Sequence, residues 1–210
     1  MRIKQAEFVV SVADYNKCPQ LDIPEIAIAG KSNVGKSSFI NLLTNNKSLA
    51  KTSGEPGRTR LLNYFNINKG ELMLVDLPGY GFARVSDDEK QKWSDLIEGY
   101  FANAKNLINV FVLVDCRHKP SLLDTQMVAY LHHYCIPFTV IATKIDKLTK
   151  NELAKQKNII ATTFALTPDS IITTSTLKKI GVDKVLERIE ELIEANREQI
   201  EFDQDELFRD

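Results

Sequence analysis

The run Gly30-Lys31-Ser32-Asn33-Val34-Gly35-Lys36-Ser37 constrains this chain more than any other feature of it. It satisfies GxxxxGK[ST]. It follows the apolar segment Ile26-Ala27-Ile28-Ala29 and precedes a stretch whose Phe39, Ile40 and Leu43 share one helical face. A strand, a glycine-bearing turn and a helix in that order wrap backbone N–H groups around phosphate oxygens. The helix N-terminus adds positive potential there. Lys36 then bridges the β- and γ-phosphates of a nucleoside triphosphate, and Ser37, with Ser38 beside it, lies where a Mg²⁺ ligand is needed. The competing reading, a chance match in a polar turn, does not account for the flanking strand and helix.

Hydrophobic periodicity alternates between the two regular periods along the rest of the chain. Strand-like runs are Phe8–Val12 (a strand or extended arm), 61–67, 71–76, Leu107–Val114, Phe138–Ala142 and Ser170–Thr173. Asn68-Lys69-Gly70 separates the second and third of these as a hairpin signal. Helical stripes follow Ser86, Leu122, Thr149 and Gly181, and Ser86 with Glu89 and Thr149 with Glu152 have capping-box spacing. This order predicts an α/β fold: a mostly parallel sheet with one antiparallel hairpin strand and helices on both faces. Residues 1–22 are expected to form an N-terminal arm or strand, 23–199 the nucleotide-binding domain, and 200–210 a loosely held acidic tail.

Thr143-Lys144-Ile145-Asp146 selects the base. It follows the buried run Phe138–Ala142, at the carboxyl end of a strand, roughly a hundred residues after the phosphate loop. A carboxylate at Asp146 accepts from both N1–H and the 2-amino group of guanine, donors that adenine lacks. Lys144 can lay its stem along the base. Asp76-Leu77-Pro78-Gly79 supplies a DxxG element in the right order between these motifs, with Asp76 holding Mg²⁺ through water and the Gly79 N–H meeting the γ-phosphate. Gly57-Arg58-Thr59 lies in a polar stretch, and Thr59 is the candidate second Mg²⁺ ligand on a loop ordered by the triphosphate. Thr174-Ser175-Thr176 is the candidate loop for guanine O6, although Ser/Thr clusters are common in any loop.

Composition limits the alternatives. With 43% hydrophobic and 26% charged residues over 210 positions, the chain has the balance of an ordinary globular protein with one core. No apolar run approaches the roughly 20 residues that span a bilayer, and the N-terminus is too polar for a signal peptide, so no membrane partner is expected. Three cysteines at irregular spacing fit a reducing cytoplasm better than a disulfide framework. Cys116 and His118 with His132, His133 and Cys135 invite a zinc reading, but no CxxC pair is present and buried cysteine is the commoner explanation. Residues 187–210 hold ten acids and three bases, a net of −7, against −1 for the whole chain; the preceding 186 residues therefore carry +6. Such a body suits an RNA partner, or is merely solvated.

Taken together, these residues resemble the EngB (YihA/YsxC-like) ribosome-biogenesis GTPases of the Era/Obg-like translation-associated group, over about residues 5–195. The most specific stretch is Asp76-Leu77-Pro78-Gly79-Tyr80-Gly81-Phe82-Ala83-Arg84-Val85, similar to the family's DxPGYGFA[KR]V. Asp115-Cys116-Arg117-His118 resembles its DxRH segment, Pro56-Gly57-Arg58-Thr59 with Asn63-Tyr64-Phe65 its first switch, and Gly30–Ser37 its G[RK]SNVGKS. The resemblance implies a Ras-like P-loop GTPase fold, GTP/GDP cycling with Mg²⁺, and a role in assembling the large (50S) ribosomal subunit through rRNA or ribosomal proteins; a monomer is expected. Effects on cell division and septation follow as a downstream result. The chain departs from the pattern at Arg60, where glutamine is usual, at Thr174-Ser175-Thr176, and in its acidic tail.

Tyr80 stands where Ras-like proteins place the glutamine that orients the attacking water, which predicts slow hydrolysis without a partner surface. The resemblance to assembly GTPases with asparagine at the Asn33 position implies K⁺ beside the phosphates; a turn-stabilising asparagine is the equal alternative. Arg58, Arg60 and Arg84 are candidates for rRNA phosphate contacts. Two other readings compete: a P-loop nucleotide kinase or ATPase, against which Asp146 speaks, and a GTP-binding scaffold of negligible turnover, which Tyr80 keeps open.

Overall fold

The computed structural model describes residues 1–51, 61–81 and 86–207. Its strands are β1 (Ala6–Val12), β2 (Glu25–Gly30), β3 (Leu62–Ile67), β4 (Leu72–Asp76), β5 (Leu107–Asp115), β6 (Phe138–Thr143) and β7 (Ile172–Thr173). The helices are α1 (Lys36–Leu43), α2 (Asp87–Asn103), α3 (Leu122–His133), α4 (Lys150–Phe164) and α5 (Val182–Leu207). They build one sheet in the order β1-β3-β4-β2-β5-β6-β7. Only β3, among the described strands, runs against the rest; it pairs antiparallel with both β1 and β4. The N-terminal arm is thus an edge strand of this same sheet.

Alternation along the strands divides the core into two layers. In β2, Ala27 and Ala29 face one side while Ile26 and Ile28 face the other. The alanine side is covered by α2, α3 and α4 through Leu96, Ile97, Met127, Leu131, Ile160 and Phe164. The isoleucine side is covered by α1 and α5 through Phe39, Ile40, Val185 and Ile189. Strands buried on both faces read as near-continuous apolar runs, which is why Leu107–Val114 was so plain in the sequence.

Ser86, Ser121 and Thr149 each begin a helix with a complete capping box, closed by Glu89, Asp124 and Glu152. Residues 201–207, the start of the acidic tail, continue α5. Strong helix formers such as Glu201 and the i,i+4 bond from Gln199 Nε2 to Asp203 Oδ1 (2.8 Å) extend it beyond the body. Among the described residues no helix is long and apolar enough to cross a membrane.

Candidate functional site

Parallel pairing brings Gly30, Asp76, Asp115, Thr143 and Thr173 to the same edge of the sheet, the carboxyl ends of five neighbouring strands. Ligands of doubly wound sheets sit there. The loop after β2 turns through Asn33 (φ 65°) and Gly35 (φ 110°), left-handed conformations that Asn tolerates and Gly adopts freely. Gly35 is the N-cap of α1 and offers no side-chain cap, so the first amides of the helix, at Lys36, Ser37 and Ser38, point outward without a side-chain acceptor. The other capped helices close this end with hydroxyls; α1 leaves it available to an anion.

Asp76 and Gly79 form the facing wall. Lys36 Nζ lies 3.8 Å from Asp76 Oδ1, and that oxygen is buried without a hydrogen-bond partner. Burial pushes the Asp76 carboxyl upward, against the Lys36 ammonium and a hydrogen bond from Asn63. A buried, orphaned carboxylate oxygen at the carboxyl end of β4 suits a hydrated divalent cation. A Cβ on Gly79 would lie 3.2 Å from Lys36 Nζ and from Ser32 N, so this position admits only glycine without displacing the phosphate loop. Tyr80 O accepts from Ser32 N at 2.8 Å, and Lys31 pairs with Tyr80 as an isolated parallel bridge. Leu77 is buried, and Pro78 O accepts from Trp93 Nε1 at 3.0 Å.

The other end of the edge holds Asp146. Its Oδ1 accepts from Ser175 Oγ at 2.6 Å, which holds the carboxyl below the usual carboxylate range. Thr174 N donates to Ala142 O and Ser175 pairs with Ile180, so the Thr174-Ser175-Thr176 turn is fixed against the end of β6. Lys144, itself left-handed (φ 63°), joins the two ends: its Nζ donates to Asn33 O and to Asp115 Oδ2, both at 2.9 Å. Thr143 Oγ1 donates to Val34 O at 3.1 Å. Burial raises the Asp115 carboxyl, but hydrogen bonds from Arg117 and Lys144 outweigh it and leave it far below the usual range.

The structure therefore gathers Gly30, Lys31, Ser32, Asn33, Val34, Gly35, Lys36, Ser37, Ser38, Asp76, Leu77, Pro78, Gly79, Thr143, Lys144, Asp146, Thr174, Ser175 and Thr176 along one edge. Gly57, Arg58, Thr59, Arg60 and Arg84 lie outside the described residues. Sequence reasoning missed the Lys144–Asp115 pair, and Asp124, which accepts from Tyr80 OH at 2.8 Å while capping α3. Asp115 gave a signal only as part of a familiar tetrapeptide; Ser121 three residues before Asp124 was a readable cap. Cys116 is buried and Cys135 exposed, and His132 packs edge-on against Phe138.

Known proteins place this geometry. A family model described as 50S ribosome-binding GTPase matches residues 25–144, more than half of the chain. The probable GTP-binding protein EngB of Mycoplasma mycoides is 49% identical over 91% of this chain and 98% of its own length. The chain belongs to the EngB family of GTPases. The Clostridium perfringens EngB is 46% identical over 92% of this chain and 99% of its own. A crystal structure of a probable EngB superposes with a TM-score of 0.67 at 26% identity, covering 81% of this chain and 99% of that one. EngB-family membership makes the chain a GTP-hydrolysing enzyme with a Ras-like P-loop fold, and it excludes the nucleotide-kinase reading.

Proposed function

We propose that this GTPase is a Mg²⁺-dependent switch that assists assembly of the large ribosomal subunit in the cytoplasm, hydrolysing GTP slowly until a partner surface completes its site. The observation that carries the reading is the Lys144 bridge, which ties the Gly30–Ser37 loop to the segment that bears Asp146 and so favours a single site. In it the Gly30–Ser37 backbone and Lys36 hold the β- and γ-phosphates, Ser37 and Asp76 hold the hydrated cation, and Asp146 reads guanine. A bound Mg²⁺ would supply charge neutralisation across the β- and γ-oxygens. Ser175, by donating to Asp146 Oδ1, keeps that carboxylate ionised and aimed. Thr59 completes the cation shell in this reading, and Arg58 and Arg84 meet rRNA phosphates.

Tyr80 supports slow intrinsic turnover. Its ring is buried and its hydroxyl is committed to Asp124, so it does not orient water as a glutamine would. The 50S particle is favoured as the partner by the description of the matching family, and an effect on cell division follows from failed subunit assembly. K⁺ beside Asn33 is the finer proposal: its carbonyl is held by Lys144 and its side chain is exposed.

The test is GTP turnover with and without 50S precursor particles, alongside competition of GTP binding by ATP. Particle-stimulated, ATP-resistant turnover is expected, with particle binding that weakens steeply as salt rises. Turnover indifferent to particles removes the assembly role, and equal rates in K⁺ and Na⁺ remove the potassium.

A further inference from the structure

The opposite edge of the sheet holds a second cavity that the GTPase site does not use. It has a volume of about 290 Å³, near the lower bound for small-molecule sites. It lies where β2 begins, between the segment Tyr15–Asp22 and the end of α2. Its wall is built by close packing. The 3-10 turn Tyr15–Lys17 sits on α2, and a Cβ at Gly99 would fall 2.2 Å from the Tyr15 ring. Asn106 Nδ2 holds Leu21 O and fixes the rim.

What lines the cavity is unlike an ordinary surface dimple. Glu25 opens β2, a position that the rest of the strand fills with Ile and Ala, and it is 6% exposed. Its Oε2 accepts from Tyr100 OH at 3.1 Å; among the described residues no donor is recorded on Oε1 and no lysine or arginine pairs with the carboxylate. Tyr15, Tyr64 and Cys18 line the same space, and the Tyr64 hydroxyl and the Cys18 thiol share a hydrogen bond. A buried carboxylate with one neutral partner is costly in its charged form unless a cation joins it, and otherwise it tends to keep its proton. An organic cation suits this wall: the carboxylate meets its charge and the half-buried Tyr15 meets its alkyl part, with Tyr64 and Tyr100 almost wholly buried behind. Asp22 and Lys105 also line the cavity, but among the described residues no group of three or more His, Cys, Asp or Glu side chains is placed to hold an inorganic divalent cation.

We propose that this cavity is a binding site for a small organic cation, an alkyl ammonium or guanidinium compound, anchored on Glu25. It is independent of the nucleotide pocket, which occupies the other end of the strands. Occupancy ties the N-terminal segment at Tyr15 and Cys18 to α2.

The probes are 1,4-diaminobutane, butylamine and agmatine, titrated by calorimetry into the full chain at constant ionic strength, with 1-butanol as the uncharged control. Saturable one-to-one binding of at least one cation, and none of butanol, is expected. Glu25→Gln removes the charge and should weaken binding at least tenfold. Ala104→Leu fills the cavity without touching the carboxylate and should do the same. GDP affinity is expected to stay at the native value in both, which shows that each variant is folded. No saturable binding to the native chain overturns the proposal. So does binding that survives both variants, which would place the amines on the acidic face of α5.

Discussion

The Tyr80 hydroxyl donates to Asp124 Oδ1 at 2.8 Å, in a contact buried between the DxxG segment and α3. Asp124 Oδ2 meanwhile accepts from Ser121 N (2.8 Å) and Oγ (2.6 Å). One carboxylate thus closes a helix and tethers the segment that carries Gly79. Trp93 does the same from α2 by donating to Pro78 O. The segment that follows β4 is braced from both helices behind it.

Tyr80→Phe removes only the tethering hydroxyl and leaves a buried acceptor unpaired, at a cost of about 1–3 kcal/mol. The expected outcome is a thermal midpoint lowered by several degrees and a GTPase kcat reduced several-fold, with GDP affinity unchanged because GDP lacks the phosphate that Gly79 is proposed to meet. Calorimetry and steady-state turnover check the two halves; an unchanged kcat would show that the brace serves stability alone.

Asp146→Asn replaces the proposed acceptor of two guanine hydrogen bonds with a group that can accept one and donate one. Hydrogen bonds to charged groups contribute about 1.5–3 kcal/mol each, so GDP affinity should fall roughly 100-fold or more. Xanthosine diphosphate, which carries a carbonyl in place of the 2-amino group, should bind this variant better than the native chain. Fluorescence titration with both nucleotides gives the ratio.

Asp76→Asn takes away the buried charge whose Oδ1 has no hydrogen-bond partner. Mg²⁺ should then cease to raise the thermal midpoint of the GDP-bound chain, and GTP turnover should fall at least 100-fold, as about 3 kcal/mol of lost electrostatic stabilisation requires. A scan with and without EDTA reads the first effect directly.

Burial pushes the Glu25 carboxyl upward, and the Tyr100 hydrogen bond only partly offsets it. The folded chain therefore holds this proton longer than the unfolded chain does. The contribution to stability is full below the ordinary carboxylate range, about pH 4, and is lost as pH rises through the raised value. In buffers free of organic amines, Glu25→Gln should match the native chain at about pH 4 and be the more stable of the two at pH 7. Thermal unfolding at both values measures the difference.

Much of this was legible beforehand because periodicity and motif spacing are local. Ile26–Ala29, Leu107–Val114 and Phe138–Ala142 read as strands because parallel strands are apolar on both faces, and Gly30–Ser37 and Thr143–Asp146 carried their own chemistry. Long-range polar pairing was not legible. Nothing near Lys144 in sequence indicates that it reaches Asn33 O and Asp115, and Trp93 read as one more core aromatic although its ring nitrogen needs an acceptor. That residues 201–207 continue α5 was not read from the sequence, where their acidity stood out more than the helix propensity of the same side chains. The ligand pocket at Glu25 depends on two segments that only the fold brings together.

Lys144 has a further consequence. Its ammonium clamps the carbonyl of Asn33 from the far loop, so the gap between the two recognition ends is set before any molecule enters. In the proposed reading the enzyme works as a calliper: it would gauge the span from purine to terminal phosphate, and neither a free base nor a free pyrophosphate would fill both jaws.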